Sequence, residues 1–95
     1  MKKMKIYQSG IFEKAVTKIS KPGKIVLDEE IKKIVNNPFL GNEKKGDLSK
    51  VFVHKFKIKT TQYLLAYRVH EDELELIMIG PHENYYRDLK NYLDK

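Results

Sequence analysis

The sequence predicts an α+β fold: a small antiparallel sheet with an N-terminal helical hairpin on one face, ordered β-α-α-β-β-β-α within a single domain at residues 1–95. Three observations predict it. Two early stretches, at residues 11–19 and 22–36, carry apolar residues at helical spacing, and three consecutive stretches between residues 51 and 79 alternate with period two. The links between those three are too short for parallel pairing, which needs a crossover of about a dozen residues. Helices that precede a run of strands bury their apolar stripes by packing on one side of the sheet.

Taken in order, Met4 to Gln8 is a short mixed run that reads as an edge strand. Ile11, Phe12, Ala15, Val16 and Ile19 recur at helical spacing, with Ser9 placed to cap the first turn. Lys21-Pro22-Gly23 breaks that pattern, and Pro22 suits the first position of a second helix better than the interior of the first. The second helix carries Leu27, Ile31, Ile34 and Val35 on one stripe, with Asp28 to Lys32 and Glu29 to Lys33 as i,i+4 pairs. Asn36-Asn37-Pro38 ends it, because a residue before proline avoids the helical region. Residues 38–49, PFLGNEKKGDLS, read as a loop with Phe39, Leu40 and Leu48 pinned to the core.

In the first long strand Phe52, His54, Phe56 and Ile58 alternate with Val53, Lys55, Lys57 and Lys59. In the second, Tyr63, Leu65, Tyr67 and Val69 alternate with Leu64, Ala66 and Arg68, and the β-branched and aromatic content fits a strand. After His70 to Glu73, Leu74, Leu76 and Met78 alternate with Glu73, Glu75 and Ile77 until Gly80 and Pro81 stop the strand. Pro81 to Leu93 returns to helical spacing through Tyr85, Leu89 and Tyr92 or Leu93, with Pro81 at its start and Glu83 in its first turn. The Phe12, Val16, Leu27 and Ile31 stripe is expected on the Tyr63, Leu65, Tyr67 and Val69 face, leaving the opposite sheet face partly open.

Composition narrows the function. There is no cysteine, hence no disulfide, thiolate nucleophile or cysteine-ligated metal, which suits a reducing cytoplasm. No apolar run reaches the length of a membrane span, and none follows MKKMK as a signal peptide requires. A net charge of +6, from 19 Lys and Arg against 13 Asp and Glu, favours polyanionic partners. His54, His70 and His82 lack metal-ligand spacing, HEN at residues 82–84 lacks the second histidine of HExxH, and no P-loop, GxGxxG or nucleophile elbow occurs, so no metal or cofactor is expected.

Chemistry concentrates at two places. Lys55 and Lys57 project from the same side of one strand, with Arg68 on the neighbouring strand; the trio either faces an anion or forms an ordinary solvated strand surface. His82 stands at a strand-to-helix junction with Tyr86 one turn further on, a constellation fit for proton transfer beside a phosphate, or else a polar helix start and a core aromatic. Tyr85 and His54 read as core or boundary residues, and His70 as solvated.

The helical hairpin, the loop KKGDLSKV, the strands HKFKIK and YLLAYRV, and the ending MIGPHENYYRDLK together resemble the RelE/ParE superfamily of type II toxin-antitoxin toxins over nearly the whole chain. The resemblance implies a small basic toxin neutralised by a cognate antitoxin in a toxin-antitoxin hetero-oligomer. RelE-like members are ribosome-dependent ribonucleases that cut mRNA in the A site, and ParE-like members poison DNA gyrase. By position, Lys55 and Lys57 fall on the strand lysines of the RelE branch and Tyr86 on its C-terminal catalytic tyrosine. Leu64 and His82 replace two of its arginines, for which Arg68 or Arg87 would supply the charge. The resemblance thus implies a cytoplasmic, metal-independent mRNA endonuclease acting with ribosome and mRNA, with His82, Tyr86, Lys55, Lys57 and Arg68 catalytic and Lys44, Lys45, Lys50, Lys59 and Arg87 binding RNA. A gyrase inhibitor and a non-catalytic nucleic-acid-binding module are the alternatives.

Overall fold

In the computed structural model, which describes residues 4–43, 50–81, 83 and 85–93, the elements are β1 (Lys5–Gln8), α1 (Gly10–Val16), α2 (Lys21–Asn36), β2 (Asn42–Glu43), β3 (Phe52–Ile58), β4 (Thr61–His70), β5 (Glu73–Pro81) and α3 (Tyr85–Leu93). They form one sheet in the order β1-β5-β4-β3-β2. The three long strands pair antiparallel as expected, but β1 runs parallel to β5, so the sheet is mixed. β2 replaces part of the predicted loop, pairing Asn42 with Val53 and Glu43 with Phe52. Two residues carry no periodicity, so only pairing reveals this strand.

Local chemistry sets the helix starts. Ser9 accepts from the Phe12 amide at 3.1 Å, and Ser20 accepts from the Gly23 amide at 3.2 Å with Pro22 in the first turn of α2. Gly23 lets α2 approach the end of β3 closely: a Cβ there would come within 2.6 Å of Ile19 and 3.3 Å of Ile58. The helical hairpin then packs as the stripes require. Phe12, Leu27 and Ile34 bury against Phe56, Leu65, Tyr67, Leu74 and Leu76, flanked by Val16 and Ile31. On the opposite face α3 lays Tyr85 and Leu89 over Val53, Leu64, Ala66 and Ile77.

Four expectations are corrected. A bulge in β5 pairs Ala66 with Met78 but Tyr67 with Leu76, so Ile79 takes the helical-hairpin face and Met78 joins Ile77 on the α3 face. Phe39 and Leu40 are not pinned, being 70% and 41% exposed. Instead the buried Tyr67 holds that segment, its hydroxyl donating to the Pro38 carbonyl at 2.8 Å and accepting from the Gly41 amide at 2.9 Å; Leu48 lies outside the described residues. Pro81 ends β5, paired with Tyr63, and α3 begins only at Tyr85. The α2 ion pairs are Glu29–Lys32 at 3.5 Å and Glu30–Lys33 at 2.9 Å, spaced i,i+3, not i,i+4.

The last shift has a cause across the interface. Glu30 turns inward to meet His54 Nε2 at 2.7 Å, tying α2 to β3, and Lys33 follows it. His54 is thus a satisfied boundary histidine, as its apolar face implied. Burial pushes the Glu30 carboxyl up, but hydrogen bonds from His54 and Lys33, together with their charges, outweigh burial and hold it below the usual glutamate value. A carboxyl depressed in the fold stabilises the fold fully above its unfolded pKa of about 4.3, and that contribution is lost as pH falls below it. Glu30→Gln should therefore flatten the loss of urea resistance between neutral pH and pH about 3. Glu30→Ala, which strips His54 of its acceptor, should cost about 2 kcal/mol at neutral pH in the same titration.

Candidate active site

The site is built from one row across the sheet. Lys55 of β3 pairs with Leu64 of β4, and Leu64 with Gly80 of β5. The Tyr85 ring lies over Gly80, 3.7 Å from where a Cβ would stand, an ordinary packing distance. Two strand spacings separate Lys55 from Gly80, about 10 Å. Lys57 lies one step along on the same face, opposite Gln62. Both lysines are exposed, and among the described residues neither has a carboxylate within ion-pair distance. An exposed, unneutralised pair is able to face an anion, and the same exposure fits an ordinary solvated strand surface.

Tyr85 and Tyr86 have different work. Tyr85 is buried and its hydroxyl donates to the Met78 carbonyl at 2.7 Å. Burial drives its phenol far above the ordinary tyrosine value, opposed only in part by a backbone hydrogen bond at Ala66, so Tyr85 is a structural post. Tyr86, about 100° further round the helix, sits half-buried at the margin of the same core, edge-on to Tyr85 with centroids 5.8 Å apart.

Arg68 does not join the lysines. It lies four residues along β4 from Leu64, about 13 Å away, and pairs with Glu75 at 3.3 Å. The tight turn between Ile58 and Thr61 sets this register, pairing Lys57 with Gln62 and leaving Arg68 beyond the end of the β3 ladder. Sequence alternation placed Arg68 on the correct face but could not place it along the strand. A cavity of about 360 Å³ beside Arg68 is lined by Tyr92 and Leu93, at the far end of α3 from Tyr86.

Of the other predicted cations, Lys59 sits in the β3–β4 turn at φ 57°, next to the Lys57 end of the strand, while Lys50 at φ 67° precedes the opposite end of β3. Arg87 is exposed and 3.8 Å from Asp88. His82, Lys44 and Lys45 lie outside the described residues. Gln62 was missed by sequence reading, and the turn after Ile58 was the signal, since counting back through it puts Gln62 opposite Lys57. Among the described residues no group of three His, Cys, Asp or Glu side chains converges to hold a metal ion, and no helix is long and apolar enough to cross a membrane.

A family model described as a ParE-like toxin of type II bacterial toxin-antitoxin systems matches residues 6–90. The chain belongs to this family of toxins. No curated protein matches it. Among solved structures, the ParE-like toxin is similar to the intact Escherichia coli RelBE toxin-antitoxin complex, with TM-score 0.69 and 17% identity over 84% of this chain and 98% of that one. It is also similar to isolated E. coli RelE, with TM-score 0.65 and 17% identity over 94% of this chain and 98% of the other. At that identity the likeness is one of fold: the toxin has the RelE architecture.

Proposed function

We propose that this toxin is a ribosome-associated mRNA endonuclease. The observation that carries the reading is the exposed Lys55 and Lys57 pair, unneutralised by any described carboxylate and set in the row that leads to the start of α3. Cleavage begins with attack of the 2′-hydroxyl on the adjacent phosphate; a base removes its proton, an acid protonates the departing 5′-oxygen, and cations stabilise the phosphorane. Lys55 and Lys57 supply the cations. Tyr86 and His82 take the proton transfers, His82 entering on sequence grounds alone as the residue that follows Pro81 at the end of β5. Tyr86 also offers a face on which a displaced base can stack. Lys59 extends the phosphate contacts with Lys50 and Arg87, Lys44 and Lys45 enter as RNA contacts on sequence grounds alone, and Arg68, tied to Glu75, takes no part. The likeness to RelBE supports a cognate antitoxin as the partner that silences the site in a hetero-oligomer, and ribosome and mRNA place its action in the cytoplasm.

The match to a ParE-like family keeps a second reading open, a gyrase inhibitor that needs no reactive site. The two separate on induction in cells, with translation and plasmid supercoiling measured in parallel. The endonuclease reading expects protein synthesis to fall with cut mRNA while supercoiling persists. Loss of supercoiling with translation intact would replace it by the gyrase reading, and a translation block with uncut mRNA would leave a non-catalytic binding module.

A further inference from the structure

A cavity of about 460 Å³ opens between α1 and the ends of β4 and β5. Gly80 and Pro81 form part of its wall, so it lies at the β5 end of the row that carries the candidate active site, on the helical-hairpin side of the sheet and opposite the face of Lys55 and Lys57. Its floor is apolar, made by Ala15, Ile19 and Ile79, and one side is the half-buried ring of Tyr63, itself stacked on Phe56 at 6.1 Å and 26°. The exposed Lys14, in the last turn of α1, and Lys18, just past its C-cap Thr17, also line it. They open a stretch from Lys14 to Leu27 that holds four lysines, including Lys21 and Lys24, and no aspartate or glutamate. Among the described residues none of the four forms an ion pair. This basic ridge belongs to the helical hairpin and is separate from the β3 lysines.

We propose that this cavity receives a base of the RNA strand flanking the scissile phosphate, with Lys14 and Lys18 holding the adjoining phosphates and Lys21 and Lys24 continuing the track. The inference rests on the RNA reading of the neighbouring site. A flat apolar ring carrying anionic oxygens matches a pocket with an aromatic side, an aliphatic floor and cations at the rim. The volume lies within the roughly 300–1,000 Å³ of small-ligand pockets, enough for one nucleotide. The two binding terms are separable, because phosphate contacts are salt-dependent and base insertion is not.

The test is fluorescence anisotropy of a short labelled single-stranded RNA titrated with the purified full chain at several salt concentrations. Lys14→Ala with Lys18→Ala should reduce the salt slope of log affinity by about 1.4, two phosphate contacts at about 0.7 each. Ala15→Leu, which fills the floor, should weaken binding about tenfold with the slope unchanged, the signature of a lost base contact. Wild-type affinity and slope in both variants would overturn the inference, as would variants that lose only antitoxin binding, which would make the cavity a protein interface. Lys55→Ala with Lys57→Ala, measured alongside, keeps the two proposals apart. If it alone weakens binding, the active-site reading stands and the cavity falls; if it alone leaves binding intact, the reverse holds. Wild-type protein that binds no free RNA overturns the cavity proposal, while the active-site reading is judged separately by cleavage of ribosome-bound mRNA.

Discussion

Purified toxin carrying both Lys55→Ala and Lys57→Ala should cut ribosome-bound mRNA about 100- to 1,000-fold more slowly than wild type, the cost of removing preorganised charge from a developing oxyanion. Its melting temperature should hardly move, because both side chains are exposed and unpaired among the described residues. Arg68→Ala serves as the contrast. Its guanidinium is committed to Glu75 at the other end of α3, so cleavage should stay within a few-fold of wild type. Tyr86→Phe then divides proton transfer from stacking, since it keeps the ring and deletes the hydroxyl; a fall of about 100-fold or more assigns it to proton transfer. His82→Ala should fall at least as far. Full cleavage by the double lysine variant would remove the catalytic reading of β3 altogether.

The second large effect is structural. Leu65 lies in the middle of β4, fully buried between Tyr63 and Tyr67 on the face covered by the helical hairpin. Leu65→Ala should cost about 3 kcal/mol through lost transfer energy and the cavity left behind, and lower the melting temperature by roughly 12–24 °C for a chain of this size. Phe39→Ala is the informative partner, because Phe39 is 70% exposed and meets the fold through an edge-on contact with Phe52 at 5.7 Å. It should lose less than about 1 kcal/mol. A Phe39 variant as damaging as the Leu65 one would restore the loop pin that the exposed ring argues against.

These outcomes bear on how far a single sequence can be read. The helical hairpin was legible because its signals are local: Ser9 and Pro22 mark helix starts, Asn37-Pro38 a stop, and the stripes from Phe12 to Ile34 repeat at helical spacing. The assignment of Phe56 and Leu65 to one sheet face and Lys55 and Lys57 to the other was legible for the same reason, as alternation needs no partner strand. Of the site, the lysine pair and the position of Tyr86 in the last helix were readable, and the resemblance that pointed to the toxin family rested on those same segments.

What alternation cannot carry is register, and most differences trace to it. The bulge opposite Ala66 exchanged the faces of Met78 and Ile79, and the turn after Ile58 carried Arg68 away from the lysines, although these residues stayed in the strands that their types favour. Long-range pairing decided the rest. β1 joined β5 in parallel, Asn42–Glu43 became a strand only because β3 offered an edge, and Glu30 reached across to His54 while keeping Lys33. The sequence by itself therefore determined the helical hairpin, the three long strands with most of their faces, the last helix and the α+β class, since propensity, capping and hydrophobic period act within a few residues. Only the tertiary structure decided which charges meet, because that depends on hydrogen-bonded register and on contacts between residues more than twenty positions apart, such as Glu30 with His54 and Tyr67 with Gly41.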